Sequence, residues 1–380
     1  MDRKTTLALL SLAAAYFTVG TASLLVVAVA APLAAELRVS PSAVANLLSV
    51  FALTFAVSAP LAQVLLGHFQ RRHLLLVGLA TLSAATALSA ITNAYWPLFA
   101  LRVAAGMGAA LVGPMASAIG AGLVREAQQG RALALVFTGM MLATVLGVPL
   151  AAWLSGWLGW QAVFLIVGLT GVAATAAVAA LVRDRGRGAP VTFPGLWRVL
   201  TTRRSGMSVA TTLLQMAAQF ATYALIVPFI VERMGGSQAW AVVVLFAFGV
   251  GGLAGNVLAG FMADRLGADR TIATSFSGLV LVFALLLVAP AEPAVALAIA
   301  IAWAVTGTLF QAPQQKRLIG IDPEARGLLL ACNASALYVG MALGSFLAAV
   351  VYGWMGIAAL PAVSLALSVA GALAFGMARK

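Results

Sequence analysis

Apolar stretches of 18 residues or more recur along the whole of this 380-residue sequence, and no other feature constrains its fold as strongly. A helix of that length crosses the hydrocarbon layer of a membrane, which is roughly 30 Å thick. In lipid, a backbone satisfies all of its hydrogen bonds only as a helix or a closed barrel. Because the short alternating segments of a barrel are missing, the sequence predicts an all-α integral membrane protein.

Charged residues, prolines and glycines divide the apolar stretches into twelve predicted spans. The first six lie near residues 5–32, 42–67, 73–92, 95–124, 131–157 and 160–182. The other six lie near residues 207–231, 238–262, 270–289, 293–315, 326–352 and 355–377. These limits predict an N-terminal six-helix bundle over 1–182, a cytoplasmic linker over 183–206 and a C-terminal six-helix bundle over 207–380.

The cations predict the orientation of the spans. The net charge is +12, which could suggest nucleic acid as a partner. Binding of nucleic acid, however, needs clustered cations and aromatic side chains on a soluble face, and here the cations lie in short loops between spans. If both termini are cytoplasmic, the outer loops carry just Arg38 and Arg233, as the positive-inside rule requires. We therefore expect a multi-pass, monomeric protein of the plasma (inner) membrane, with the lipid bilayer as its surroundings.

The two predicted bundles resemble each other in sequence. Pro32, followed by Glu36, ends the first span, and Pro228, followed by Glu232, ends the seventh. Further matches among apolar residues and glycines keep a near-constant offset, which favours an internal repeat over chance. Transporters commonly place a substrate site between such repeats, so we expect two pseudo-symmetric halves with a solute pathway.

The most specific motif runs from Gly260 to Arg270, in the cytoplasmic loop after span eight. It resembles the signature loop of the major facilitator superfamily, Gly-x-x-x-Asp-Arg-x-Gly-x-(Arg/Lys)-(Arg/Lys). Glycines permit a tight turn there, and an aspartate can interact with the positive end of a neighbouring helix. The resemblance implies that this neighbour is span five and that the loop acts as a latch on the inner side. The predicted latch residues of this loop and its partner are Gly260, Asp264, Arg265, Gly267, Arg270 and Arg131.

The equivalent loop of the first half, residues 67–73, keeps a glycine and a basic pair but has no acid. We therefore expect a weaker latch, which would contact the start of span eleven near Glu324 and Arg326. Its predicted residues are Gly67, Arg71 and Arg72. His68 and His73 are interpreted as residues of a helix end, with pH sensing as the alternative.

Two further segments carry the resemblance. Leu101 to Ala110 is similar to the superfamily's span-four motif, Arg-x-x-x-Gly-x-Gly, and a cation inside a span, here Arg102, is a functional candidate by default. A structurally paired or snorkelling arginine is the alternative. Span five and the segment after it, with Pro149 and Gln161, are similar to the efflux branches, although Gln161 replaces a typical arginine. Over the whole chain the closest resemblance is to drug and metabolite exporters related to arabinose efflux permeases.

The resemblance also implies which side chains line a central cavity, because spans one, four, seven and ten do so in that fold. Gln215, Gln219 and Tyr223 form a polar stripe at helical spacing on span seven. For each single residue, packing between helices is the alternative role. The candidate substrate-binding residues are Tyr16, Arg102, Gln215, Gln219, Tyr223, Trp303, Gln311 and Asn333.

The ten acidic residues all fall in loops or at span ends, and this limits the class of solute. Exporters of cationic drugs and many proton-driven exporters use a carboxylate deep in the membrane. A cavity with Arg102 and no central acid favours neutral or anionic solutes. Proton coupling would then use a peripheral acid such as Glu36 or Glu232, a histidine, or the substrate itself.

The sequence thus predicts a secondary active transporter with alternating access. Its expected activity is export of a small organic solute or drug, with protons as the candidate coupling ion; uptake by symport, or a channel, is the alternative. An integral-membrane enzyme would need clustered ligands or a nucleophile with its base, and an ATP-driven pump would need a Gly-x-x-x-x-Gly-Lys-Ser/Thr loop; the sequence shows neither pattern. We predict no catalytic residue, metal or cofactor.

Overall fold

The computed structural model describes residues 3–125, 128–184, 186, 197–198, 201–321 and 326–379, and each of the twelve predicted spans falls on helix. No β-strand occurs among these residues. The first half contains Arg3–Ala28 and Ala30–Leu37 (span one), Pro41–Leu66 (span two), Arg71–Leu88 with the 3₁₀ turn Ser89–Ile91 (span three), Tyr95–Gly122 (span four), and Gln129–Leu142, the π-helical Ala143–Gly147 and Val148–Leu181 (spans five and six). The second half contains Arg203–Tyr223, Ile226–Pro228 and the π-helical Phe229–Arg233 (span seven), Gln238–Arg265 (span eight), Ala268–Val288 (span nine), Pro293–Thr308 and Gln311–Ile321 (span ten), Arg326–Met355 (span eleven), and Ile357–Ala359 with Leu360–Arg379 (span twelve).

The lengths of these helices fit a membrane. Among the described residues ten helices are long and apolar enough to cross it, and the bent pair of span seven raises the number to eleven. The longest stretch, Leu135–Leu181, has 47 residues, about 70 Å of helix, which is enough for two crossings. It turns at Gly159, whose φ of 80° favours glycine, so this stretch supplies spans five and six separately.

Spans one and seven break at matching places. Val29 (φ −108°, ψ 17°) and Leu225 (φ −120°, ψ 28°) leave helical geometry three residues before Pro32 and Pro228 respectively. A proline removes one backbone N–H and its ring clashes with the preceding turn, so the helix is interrupted on its N-terminal side. The two parts of span seven meet at 48°. The internal repeat read from the sequence is therefore also present in the backbone.

The chain divides into two compact units, Met1–Val39 with Val50–Val191 and Ser40–Ser49 with Thr192–Lys380. The predicted boundaries at 182/183 and 206/207 stay predictions, since much of the segment between them lies outside the described residues.

Small residues bring helices together inside each unit. In the first unit, a Cβ on Gly139 would overlap the backbone carbonyl of Ala13, so spans one and five touch along their backbones. In the second unit, Gly340 and Gly344 face the backbone of span seven in the same way. Close approach through small residues is how helices associate in lipid, where burial of apolar surface gives no driving force.

Candidate functional site

Arg102 lies fully inside the first unit. Its guanidinium donates to the carbonyl oxygens of Ala22, at 2.8 Å, and Ser23, at 3.2 Å, on span one. It also lies over the ring of Phe51 on span two, 4.3 Å from the centroid. With 1% of its surface exposed, the side chain links spans one, two and four. A buried cation is tolerated in a membrane helix when carbonyl oxygens and an aromatic face replace water around it.

Tyr16 forms a second polar link in this unit. Its hydroxyl donates to the carbonyl of Gly113 at 2.8 Å and lies 2.7 Å from the Ser117 hydroxyl, both on span four. Its ring packs 5.1 Å from that of Phe137 on span five. Both first-half candidates for cavity lining therefore connect span one with span four.

Glu36 ties the C-terminal end of span one to the start of span six. Its carboxylate accepts from Trp160 Nε1 at 2.9 Å and from the Gln161 amide. Gln161, which stands where the similar efflux branches typically have an arginine, thus has a polar partner here. In the second unit Glu232 holds the equivalent position beside the Tyr352 hydroxyl, at 3.3 and 3.4 Å from its two oxygens. The sequence did not predict these two tethers.

Uncharged polar side chains form a buried cluster between spans seven, ten and eleven. Thr212 donates to Asn333 Oδ1 at 2.6 Å, and Gln314 Nε2 donates to Thr212 Oγ1 at 3.0 Å and to the carbonyl of Ser208 at 2.8 Å. All four residues are buried. Asn333 was predicted as a site residue, whereas Thr212 and Gln314 were missed. A glutamine within an apolar span was the available signal for Gln314.

The polar stripe of span seven faces Gly307 on span ten. Gln215 Nε2 donates to the carbonyl of Gly307 at 2.9 Å, and the absence of a side chain on Gly307 leaves room for the Gln219 amide. Gln311 Nε2 lies 3.5 Å from Met216 Sδ. Of the eight predicted lining residues, Gln219 and Gln311 are partly exposed and the other six are buried.

Tyr223 and Trp303 belong to an aromatic cluster that joins spans seven to ten. Ring centroids lie 4.8 Å apart for Tyr223 and Phe248, 5.2 Å for Phe248 and Trp303, and 5.1 Å for Phe283 and Trp303. A cavity beside Trp303 holds about 20 Å³ and is lined by apolar side chains. That volume suits about one water molecule, so this cavity is too small for an organic solute.

The signature loop braces span ten within the second unit. Asp264 pairs with Lys316 at 2.9 Å, and Asp269 pairs with Arg317 at 3.2 Å, so two acids on either side of Gly267 bind consecutive cations. Gly267 has a φ of 86° and begins span nine. Arg265 lies over Phe261, 4.1 Å from its ring centroid. Gly260 has open space around its Cα, and Arg270 is exposed. The predicted partner of Asp264, the Arg131 side chain, lies outside the described residues.

In the first-half loop, Arg72 caps a helix. Its guanidinium donates to the carbonyls of Val182 and Ala179 at the end of span six, both at 2.7 Å. A cation placed there also meets the negative end of the helix dipole. The backbone N–H of Arg71 donates to the carbonyl of Gly186 at 2.9 Å, and Gly67 is buried in the turn. Glu324 and the Arg326 side chain, the expected contacts on span eleven, lie outside the described residues.

The described residues contain no group of three or more His, Cys, Asp or Glu side chains that could hold a metal ion. No buried carboxylate occurs among them either; their buried polar side chains are uncharged apart from Arg102.

Comparison with known sequences places these features in one family. Residues 10–317 match the family described as Major Facilitator Superfamily. An uncharacterized MFS-type transporter of Bacillus subtilis, YbcL, is 26% identical over 88% of this chain and 86% of its own length. The inner membrane transport protein YdhP of Escherichia coli is 29% identical over 89% and 86%. A chloramphenicol resistance protein of Streptomyces lividans is 33% identical over 67% and 66%.

Solved structures share the fold. A bacterial homolog of the human lysosomal transporter Spinster, in an inward-facing conformation, superimposes with a TM-score of 0.72 at 16% identity, covering 100% of this chain and 96% of its own. A mutant of the nucleoside transporter NupG superimposes with a TM-score of 0.79 at 12% identity, covering 99% and 100%. The family match over most of the sequence and the helical architecture agree with the motif-based prediction. The chain belongs to the major facilitator superfamily, and it is a multi-pass membrane transporter with a small-molecule substrate.

Proposed function

We propose that this transporter exports a small, uncharged organic solute by alternating access, as a monomer of the inner membrane with both termini in the cytoplasm. One observation carries the proposal: the buried polar side chains of the described residues are hydroxyls and amides, with Arg102 as the one buried charge among them. A cationic solute would find no buried carboxylate among these residues, and the guanidinium of Arg102 is already held by two carbonyl oxygens and the Phe51 ring, so it does not serve as the partner of an anionic solute.

The side chains predicted to line the pathway suggest the chemistry of the solute. Gln219 and Gln311 are partly exposed amides, and Tyr223 and Trp303 belong to an aromatic cluster in the same unit. Amides bind hydroxyl and carbonyl groups, and aromatic faces stack on flat rings. This combination suits an uncharged aromatic compound with several polar groups. The chloramphenicol resistance protein among the relatives supports the same class and the outward direction.

Transport against a gradient needs a coupling ion, and we propose proton antiport. Glu36 and Glu232 are the candidate proton carriers because they occupy equivalent positions in the two halves and contact residues of another span. Replacing each by glutamine should abolish flux driven by a pH gradient and preserve solute counterflow. If counterflow is lost as well, the two acids are needed for the structure of the pathway rather than for proton coupling.

Flux into liposomes tests the proposal. Reconstituted protein should move chloramphenicol with saturation and counterflow, and it should leave the cationic dye ethidium where it is. Transport of ethidium would contradict the argument from charge, and flux without saturation would indicate a channel. Overexpression in cells separates the direction: resistance and lowered accumulation indicate export, whereas raised accumulation would indicate an uptake symporter.

A further inference from the structure

A cluster of arginines lies at the inner end of the second unit. Arg317 Nε and Arg379 Nε each lie 3.2 Å from a different oxygen of Asp269, so one carboxylate is shared between spans nine, ten and twelve. Both guanidinium groups also lie over the ring of Phe375, at 5.0 and 5.8 Å from its centroid. Arg317 donates in addition to the carbonyl of Ala378 at 2.8 Å, which caps span twelve.

The charges in this cluster do not balance. Arg204, at the start of span seven, is exposed, and both Arg204 and Arg379 are close enough to Arg317 to repel its charge. Asp264, the other acid of the signature loop, is already paired with Lys316. Among the described residues, one carboxylate thus pairs with two of these arginines, and Arg204 adds a third positive charge beside them. An anion that bridged them would relieve this repulsion and use the forked donors of arginine, which match phosphate geometry.

An apolar strip leads away from these arginines along span twelve. Leu373 and Met377 are 64% and 45% exposed, and Gly376 between them has open space around its Cα. Gly376 and Arg379 are three residues apart and share one face of the helix. A cation at the end of an exposed apolar helix face matches the two parts of a phospholipid, a charged head group and an acyl chain.

We propose that Arg204, Arg317 and Arg379 bind the phosphate of an anionic phospholipid of the inner leaflet, with an acyl chain along Leu373, Gly376 and Met377. The inner leaflet carries a negative surface potential, so the predicted orientation of the chain places the cluster where such lipids are abundant. The bound lipid would bridge spans seven, nine, ten and twelve and stabilise the inner end of the second half. This site is independent of the solute and of the direction of transport.

Lipid titration of the full-length protein in detergent tests the site. Thermal stabilisation and native mass spectrometry would be measured with phosphatidylglycerol, phosphatidylcholine and inorganic phosphate. We expect phosphatidylglycerol to bind and stabilise, and the double variant R204Q/R379Q to weaken its binding by about fivefold for each arginine removed. R3Q/R125Q, which removes two exposed cations of the first half, is the matched control and should bind as the wild type does.

A further variant distinguishes an effect on lipid binding from a general loss of protein stability. Asp269→Asn breaks the ion pairs of the cluster but raises its net positive charge, so we expect tighter binding of phosphatidylglycerol from this variant. Weaker binding by D269N, or an equal loss in the control variant, would overturn the proposal. Equal stabilisation by inorganic phosphate would show that the cluster binds a free anion. Equal binding of phosphatidylcholine would show that the net charge of the head group does not matter. Either result would refute the proposed binding of an anionic phospholipid.

Discussion

Arg102 shows how much depends on one buried side chain. It is the buried charge among the described residues, and its guanidinium has carbonyl oxygens of span one and an aromatic ring of span two as neighbours. These contacts fit the structural pairing that was the alternative to cavity lining. Because Arg102 joins spans one and four, it can also control how those spans move during transport.

We predict that Arg102→Ala reduces solute flux at least tenfold while the protein still inserts in the membrane. Each charge-assisted hydrogen bond contributes about 1.5–3 kcal/mol, but deletion also removes the cost of burying a charge, so the loss of stability should be smaller than the loss of flux. Flux in liposomes and the melting temperature of the same preparation measure the two effects.

Arg102→Lys supplies the control for charge. A lysine keeps the cation but lacks the fork that reaches two carbonyl oxygens, so we expect little recovery of flux. Full flux in R102A would show that the residue serves structure alone, and full recovery in R102K would show that charge rather than geometry matters.

At the scale of helices, the contact between spans one and five predicts opposite effects on stability for two glycine-to-alanine substitutions. A methyl group on Gly139 would overlap the carbonyl of Ala13, whereas Gly156, later in span five, has open space around its Cα. We therefore expect Gly139→Ala to destabilise the protein by about 1–3 kcal/mol, as overpacking does, and to lower flux. Thermal unfolding in one detergent measures the effect.

Gly156→Ala is the matched control for this prediction. It should be neutral or stabilise by up to about 1 kcal/mol, since alanine favours helix over glycine. If both substitutions lower the melting temperature equally, close packing at Gly139 does not explain the result.

The signature loop gives a second prediction at this scale. The Asp264–Lys316 pair is exposed, with side chains 79% and 57% accessible, so Asp264→Asn should change stability by less than about 1 kcal/mol. We expect it to shift the conformational equilibrium towards inward-open, because the loop is proposed as a latch. Distances between spin labels on the inner ends of the two halves, measured in D264N and in the control variant K316Q, report this shift.

The two variants have different expected outcomes. K316Q removes the brace to span ten and leaves the acid for the proposed latch, so its distances should stay close to those of the wild type. An unchanged distance distribution in D264N would show that the signature loop only braces span ten and does not act as a latch.

Helices could be predicted from sequence because their causes are local. The ends predicted at Pro32 and Pro228 were wrong, since the helices break three residues earlier and continue to Leu37 and Arg233. Apolar length defines a span, Pro32 and Pro228 interrupt spans one and seven, and Gly159 permits the turn between spans five and six. Partners of side chains could not be predicted in the same way. Asp264 with Lys316, and Glu36 with Trp160, join residues far apart in the chain, and each pairing depends on how a whole helix is rotated. The buried cluster around Gln314 was missed for the same reason.

At the scale of the whole molecule, the asymmetric placement of cations predicts the orientation in the membrane. With both termini inside, the outer loops would carry Arg38 and Arg233 and the inner loops most of the other cations, so this orientation keeps most of the positive charge off the outer face. Cys332 is the one cysteine of the sequence and is buried, so a Cys332→Ala background permits labelling of introduced cysteines.

In this background we expect Ala291→Cys, in the loop between spans nine and ten, to react with a membrane-impermeant thiol reagent in intact spheroplasts. Thr201→Cys, before span seven, should react after lysis and not before it. Both positions are exposed in the structure, so their reactivity reports the side of the membrane rather than burial. The reverse pattern would place the signature loop outside, and neither the inner latch nor the inner-leaflet lipid site could then hold. The expected pattern places Asp264 and the arginine cluster of the second half on the cytoplasmic side, as both proposals require.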